Sequence, residues 1–134
     1  MFTIEQGYYV AYKFLEQYWM KVDKFRKYIP NDSFTFVTVF STGMWPVSIN
    51  NPRSSNPAKH EYWEEVLAEL QFSGKTLLTE KEVFRATIKY IEYHQREFDM
   101  NVTEALADME SERTQEIWRQ VVDDAVALIQ EIQN

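Results

Sequence analysis

Two threonines constrain what this chain can become. "TIEQGYYVAYKFLEQYWMKV" (residues 3–22) and "TEKEVFRATIKYIEYHQREF" (79–98) each open with Thr and carry Gln6 or Glu82 three places later. That spacing is a capping box, in which two side chains satisfy backbone N–H groups that a helix start leaves without partners. Behind each box, apolar residues return every three or four positions, the period of a helix with one buried stripe. The first stripe is Ile4, Tyr8, Ala11, Leu15, Tyr18 and Val22; the second is Val83, Phe84, Thr87, Ile88, Ile91 and Phe98. An offset of 76 residues matches Thr3 with Thr79, Tyr8 with Phe84, Lys13 with Lys89, Phe14 with Tyr90, Leu15 with Ile91 and Glu16 with Glu92.

A second echo accompanies the first. "EYWEEVLAEL" (61–70) returns 55 positions later as "EIWRQVVDDA" (116–125), with Glu, Trp and Val in the same slots. Asn56 and Pro57 read as N-cap and first helical position, where a missing N–H costs least. Tyr62, Trp63, Val66, Leu67 and Leu70 follow on one face. Ser111 is the candidate N-cap of the last helix, whose stripe runs Ile117, Trp118, Val121, Val122, Ala125, Leu128, Ile129 and Ile132. Long helix, connection and Trp helix therefore occur twice. The expected fold is all-α: a helical bundle from two related helix pairs, an internal duplication with halves 1–74 and 75–134 in one domain. With three glycines and four prolines in 134 residues, there is little turn chemistry for a many-stranded sheet.

The connections are where the halves differ. In the second half, Thr103 to Met109 reads as a small helix, and Gly74 reads as the C-terminal residue of the Trp helix before it. In the first half the link is long and apolar. "SFTFVTVFS" (33–41) has strand propensity, but a lone strand would leave its backbone groups unpaired. The repeat places it where the small helix lies in the second half. A short helix, an irregular apolar segment on the bundle, or a hairpin with residues 45–50 all satisfy the pattern of this irregular or short-helical connection at about 30–55. From Trp45 to Pro57, Pro, Asn and Ser mark an exposed loop.

Charge separates the halves too. Net charge is −7 overall; residues 1–74 hold 7 Lys/Arg against 8 Asp/Glu, and residues 75–134 hold 7 against 13. Aromatics divide the other way, 16 against 5. An acidic chain is a poor ligand for phosphate backbones, whose affinity comes from Lys/Arg neutralising phosphates. No nucleic-acid partner is expected. The basic cluster "KVDKFRKY" (21–28) complements a helix C-terminal dipole; a patch for RNA or an acidic protein is its second reading. The chain has no cysteine, which excludes a disulfide framework and a thiolate nucleophile. No basic and apolar leader opens it, and no window is long and apolar enough for a spanning helix. No membrane association is expected, and a cytoplasmic location is.

The motifs of catalysis fail one by one. A di-iron bundle needs Glu-x-x-His twice, but Pro57 and Ile91 stand three residues before His60 and His94. His94 with Glu97 would offer a metal only two ligands. "FSGKT" (72–76) ends like a phosphate loop, yet Glu69 stands where its first glycine must be. Asp123 and Asp124 are adjacent on a helix and diverge, so they form no acid–base pair. No enzyme activity, metal or cofactor is expected. Tyr8, Tyr9, Tyr12, Phe14, Tyr18 and Trp19 cannot all share one helix face. Some of Tyr9, Tyr12 and Phe14 must be exposed, bind a partner, or lie under the long connection.

"TIEQGYYVAYKFLEQYW" followed by "NPAKHEYWEEVLAEL" resembles small cytoplasmic bacterial immunity proteins of polymorphic and contact-dependent toxin systems. Their pattern is a helix of the form aYxAMxxFLExYY, a short helix, then Asp-Pro-Ala-x-Trp-x-x-Trp. Asn56, Pro57, Ala58 and Trp63 fill four of those places, and His60 stands where the first Trp would be. The resemblance covers mainly residues 3–19 and 56–70. It implies stoichiometric inhibition: a helical protein binds a cognate toxin domain, such as a nuclease, and occludes its active site. On that reading, Glu104, Asp108, Glu112, Glu116, Asp123 and Asp124 face the toxin's basic cleft, and Tyr9 and Tyr12 are aromatic anchors. The alternative function is a helical adaptor or regulatory protein of phage or mobile-element origin.

Overall fold

The computed structural model describes residues 1–21, 46–54, 57–98 and 102–133. The described chain is all-α in character. Its elements are β1 (Phe2–Thr3), α1 (Ile4–Lys21), β2 (Pro46–Ser48), β3 (Asn51–Ser54), α2 (Pro57–Glu69), β4 (Leu77–Leu78), α3 (Glu80–Phe98), α4 (Thr103–Asp108) and α5 (Glu112–Gln133). Both capping boxes form. Thr3 N–H donates to Gln6 Oε1 (3.0 Å) and Gln6 N–H to Thr3 Oγ1 (3.1 Å). Thr79 and Glu82 repeat the exchange at 2.9 and 3.1 Å. Ser111 caps α5 through Thr114 N–H at 3.2 Å. The small helix expected from Thr103 is α4.

One end signal differs from the sequence reading. α2 stops at Glu69, and Gln71, at φ 63°, takes the left-handed role expected of Gly74. Phe72 N–H reaches the Leu67 carbonyl (2.8 Å) and Gln71 N–H the Ala68 carbonyl (3.0 Å). Those two bonds are a Schellman motif. Phe72 and Leu67 are both buried, which supplies the apolar contact that commonly accompanies that motif.

The helices pair across the halves. α1 packs on α5, α2 packs on α3, and α1 meets α3. Each long helix therefore lies against the Trp helix of the other half. The aromatic contacts repeat in the same sense. Trp63 meets Tyr8 and Tyr90, both at 6.1 Å between ring centroids. Trp118 meets Phe84 at 4.8 Å and Phe14 at 5.3 Å. Matching α1 to α3 at offset 76, and α2 to α5 at offset 55, turns one pair of contacts into the other. β1 and β4 obey the same rule: they pair antiparallel with Phe2 opposite Leu78, residues 76 apart. That is the register which a two-fold exchange of the halves requires, because the pair maps onto itself.

Trp63 is 0% exposed and Trp118 3%, so both plug the core as their positions suggest. They differ at the indole nitrogen. Trp118 Nε1 donates to Glu80 Oε1 at 3.2 Å, whereas Trp63 Nε1 has no hydrogen-bond partner among the described residues. The position matching Glu80 at offset 76 is Ile4, which has no acceptor to offer.

The expected exposed loop of 45–57 is corrected in part. β2 and β3 form a two-stranded antiparallel hairpin with an irregular register. Isolated, such a ribbon is marginal, but this one packs on α1 and α2. Ile49 is buried at its turn, and Gln6 Nε2 donates to Asn50 Oδ1 at 3.0 Å. The alternatives for 33–41, the basic cluster beyond Lys21, and the Asn56 cap lie outside the described residues. Nor does the apolar stripe of α5 end in the core. Burial stops at Ala125, Leu128 and Ile129 are half-buried, and Ile132 is 54% exposed. The last two turns outrun the helix surface they would cover.

Candidate functional site

The helix positions on α5 separate its acids into two places. Glu112, Glu116 and Asp123 are spaced by four and seven residues, so they share one line of the helix with Arg119. All four are exposed. None of the three carboxylates enters an ion pair among the described residues. Asp124, one residue round the helix, turns toward α1. There it lines a groove of about 320 Å³ with Gln120, Val121 and Ala125 from α5 and Tyr9, Lys13, Gln17 and Lys21 from α1. The α1 residues recur every four positions because only that face looks across at α5.

Inside the groove the polar groups are partly engaged. Gln120 Nε2 donates to Asp124 Oδ1 at 2.9 Å. Lys13 Nζ is 3.5 Å from Glu16 Oε1 and lies over the Tyr9 and Tyr12 rings, 5.9 and 5.5 Å from their centroids. Asp124 and Lys21 have no ion-pair partner among the described residues. The groove thus presents a carboxylate on one wall, ammonium groups on the other and an apolar floor of Val121 and Ala125.

The sequence-selected residues divide accordingly. Tyr9 and Asp124 meet in the groove, and Glu112, Glu116 and Asp123 form the adjoining ridge. Two are corrected. Tyr12 is 1% exposed and its hydroxyl donates to Glu16 Oε2 at 2.6 Å, so it has no surface to offer a partner. Burial, then the Glu16 carboxylate, push that phenol's pKa up. Phe14 is likewise buried, which leaves half-buried Tyr9 as the most accessible member of that trio. Asp108 is the other correction. It accepts from Tyr18 Oη at 2.9 Å and Thr114 Oγ1 at 3.1 Å, with Arg113 at 3.5 Å. Those bonds tie α4 to α1 and α5, so Asp108 holds the bundle together. The side chain of Glu104 lies outside the described residues.

A buried polar pair escaped the sequence reading. His94 Nδ1 lies 2.9 Å from the Tyr90 carbonyl, so that nitrogen carries the proton and Nε2 accepts. Lys59 Nζ donates to it at 3.0 Å and lies 5.5 Å from the centre of the Tyr62 ring. Burial pulls the Lys59 pKa down to about 8. Burial first, then the Lys59 charge, pull His94 down to about 3. With both ring nitrogens occupied, His94 is a satisfied core histidine. The available signal was its place one turn beyond Tyr90 on the buried face of α3. His60 is different: its Nδ1 is 2.9 Å from Glu64, and its Nε2 is buried without a hydrogen-bond partner among the described residues.

Among the described residues, no three His, Asp or Glu side chains gather to hold a metal ion, and no helix is long and apolar enough to cross a membrane. Comparison with known protein families, with characterised proteins and with solved structures finds no match for this chain.

Proposed function

We propose that this protein is a non-catalytic binding module, an immunity protein that neutralises a cognate toxin domain in the bacterial cytoplasm. The carrying observation is the ridge of Glu112, Glu116 and Asp123, exposed along α5 and unused by any ion pair among the described residues. Glu112 and Glu116, four residues apart, mildly repel each other, and Arg119 forms no ion pair with either Glu116 or Asp123 among the described residues, so the fold gains little from the ridge. A basic partner does gain. Aligned carboxylates on a rigid helix attract a cationic cleft over distances of about a Debye length, roughly 8–10 Å at moderate salt, and raise the encounter rate. A nuclease domain, whose cleft must hold phosphates, has that chemistry. The groove beside the ridge supplies Tyr9, an amphipathic side chain of the kind that anchors interfaces. The sequence resemblance to immunity proteins points the same way.

The test is to co-express the protein with the product of whichever gene lies immediately upstream of its own. Rescued growth and a joint peak on gel filtration are the expected results; neither occurring would overturn the proposal. Reversing Glu116 and Asp123 to Lys together should slow association at low salt by about tenfold or more and flatten its salt dependence. Unchanged kinetics would remove the ridge from the interface.

A further inference from the structure

The α1–α5 groove has a counterpart in the other half, and the counterpart is filled. At offsets of 76 and 55, Tyr9, Lys13, Gln17 and Lys21 correspond to Arg85, Lys89, Tyr93 and Glu97. Gln120, Val121, Asp124 and Ala125 correspond to Glu65, Val66, Glu69 and Leu70. Seven of those eight residues belong to α3 and α2, and Leu70 directly follows α2; the two helices pack on each other as α1 packs on α5. The shared parts behave alike: Lys89 is 3.6 Å from Glu92, as Lys13 is 3.5 Å from Glu16.

The fillers do not. Tyr93 Oη donates to Glu65 across the α2–α3 groove. Beside it, the Arg96 guanidinium bridges two carboxylates, with Nη2 2.7 Å from Glu69 Oε1 and Nε 3.0 Å from Glu97 Oε1. In the α1–α5 groove the position of Tyr93 is held by Gln17, that of Glu65 by Gln120, and that of Arg96 by Met20. Asp124 keeps the carboxylate of Glu69, but no guanidinium comes to it among the described residues. Lys21 replaces Glu97 and reverses that charge. Among the described residues, what the open groove lacks is therefore a guanidinium for Asp124, accompanied by a carboxylate for Lys21.

We propose that the α1–α5 groove receives an arginine side chain of a protein partner, its guanidinium on Asp124 and a neighbouring acidic side chain of the same partner on Lys21. The choice of a protein partner rests on the binding-module reading above. Arginine fits better than lysine because its planar fork meets a carboxylate through two parallel N–H donors. Lys13 is no obstacle, since its equivalent Lys89 stands beside a groove that already holds a guanidinium. Val121 and Ala125 give the arginine's methylene stem an apolar floor.

The experiment uses the full chain, labelled with nitrogen-15, and capped dipeptides in place of the partner. The dipeptide acetyl-Arg-Glu-amide should give saturable shifts at the Val121, Asp124 and Ala125 amides and the Gln17 and Gln120 side-chain amides. Amides of Glu65, Glu69 and Tyr93 should not move. Asp124→Asn, an exposed position whose folding circular dichroism will confirm, should weaken binding several-fold, and Lys21→Gln should weaken it less. No saturable shift, an undiminished shift in Asp124→Asn, or equal binding of acetyl-Gln-Gln-amide would overturn the proposal. Tighter binding of acetyl-Glu-Glu-amide that depends on Lys21 and not on Asp124 would also overturn it, making this an acidic-ligand site. None of these outcomes depends on the product of the upstream gene, so the toxin reading and the arginine site can fail separately.

Discussion

The α2–α3 groove and the α1–α5 groove rest on the same scaffold and have opposite fates. In both, a capped long helix packs on the Trp helix of the other half, with a Lys–Glu pair on the long helix and Val at the floor. One is closed by Tyr93 on Glu65 and Arg96 on Glu69. The other is left with two glutamines and Asp124. Residues that position the helices are repeated, while residues that fill the space between them are not. A surface on which the fold makes no demand is free to serve a partner, and the open groove and its acidic ridge form such a surface.

The deepest test of the matching scaffold is the pair of tryptophans. Trp63→Ala and Trp118→Ala should each cost about 3–5 kcal/mol, read by urea unfolding, because both rings are buried between two aromatic neighbours. A cost below about 1 kcal/mol for either would break the equivalence of the halves.

Acid should act on the α2–α3 pair, where Lys59 meets His94. His94 binds no proton in the folded chain until about pH 3, whereas unfolded it does so near 6.5. Between those values the unfolded state holds more protons, so stability falls on acidification, by at most about 1.4 kcal/mol per pH unit. Lys59 adds a rise in stability from about pH 8 upward, since the unfolded lysine stays protonated to about 10.4. His94→Gln should abolish the acid slope; an unchanged pH profile of urea midpoints would contradict the assignment.

Smaller effects refine the picture. Gln71→Gly should stabilise by about 1 kcal/mol, because a non-glycine residue in the left-handed region is strained; a loss would mean that the Gln side chain contributes to the turn. Arg96→Met makes the closed groove resemble the open one and should lower the urea midpoint only slightly, since exposed ion pairs contribute little. Asp124→Asn, with no ion pair to lose among the described residues, should shift that midpoint less still.

The helices were legible because their signals are local. Thr3–Gln6 and Thr79–Glu82 announce starts, and stripes such as Tyr8–Ala11–Leu15–Tyr18 announce buried faces. The 46–54 hairpin was not legible as such, since its stability comes from packing on α1 and α2. Nor did the sequence show that α1 pairs with α5 and α2 with α3; a stripe says which face is buried but not against what. The candidate site was half legible. Spacing on α5 identified Glu112, Glu116 and Asp123, but Asp108 has the same local look and is spent on Tyr18 and Thr114. Tyr12 shares a helix with Tyr9, and only the bundle shows which of them reaches the surface. The groove's Gln17, Lys21 and Gln120 carry no motif at all; they acquire meaning from their counterparts Tyr93, Glu97 and Glu65.

The most direct measurement is a map of backbone amide shifts on the labelled full chain as the product of the gene immediately upstream is added. The account expects the changes at Tyr9, Glu112, Glu116, Val121, Asp123, Asp124 and Ala125, with Glu65, Glu69 and Tyr93 silent. A footprint centred on the α2–α3 groove, with the α5 ridge unmoved, would contradict it.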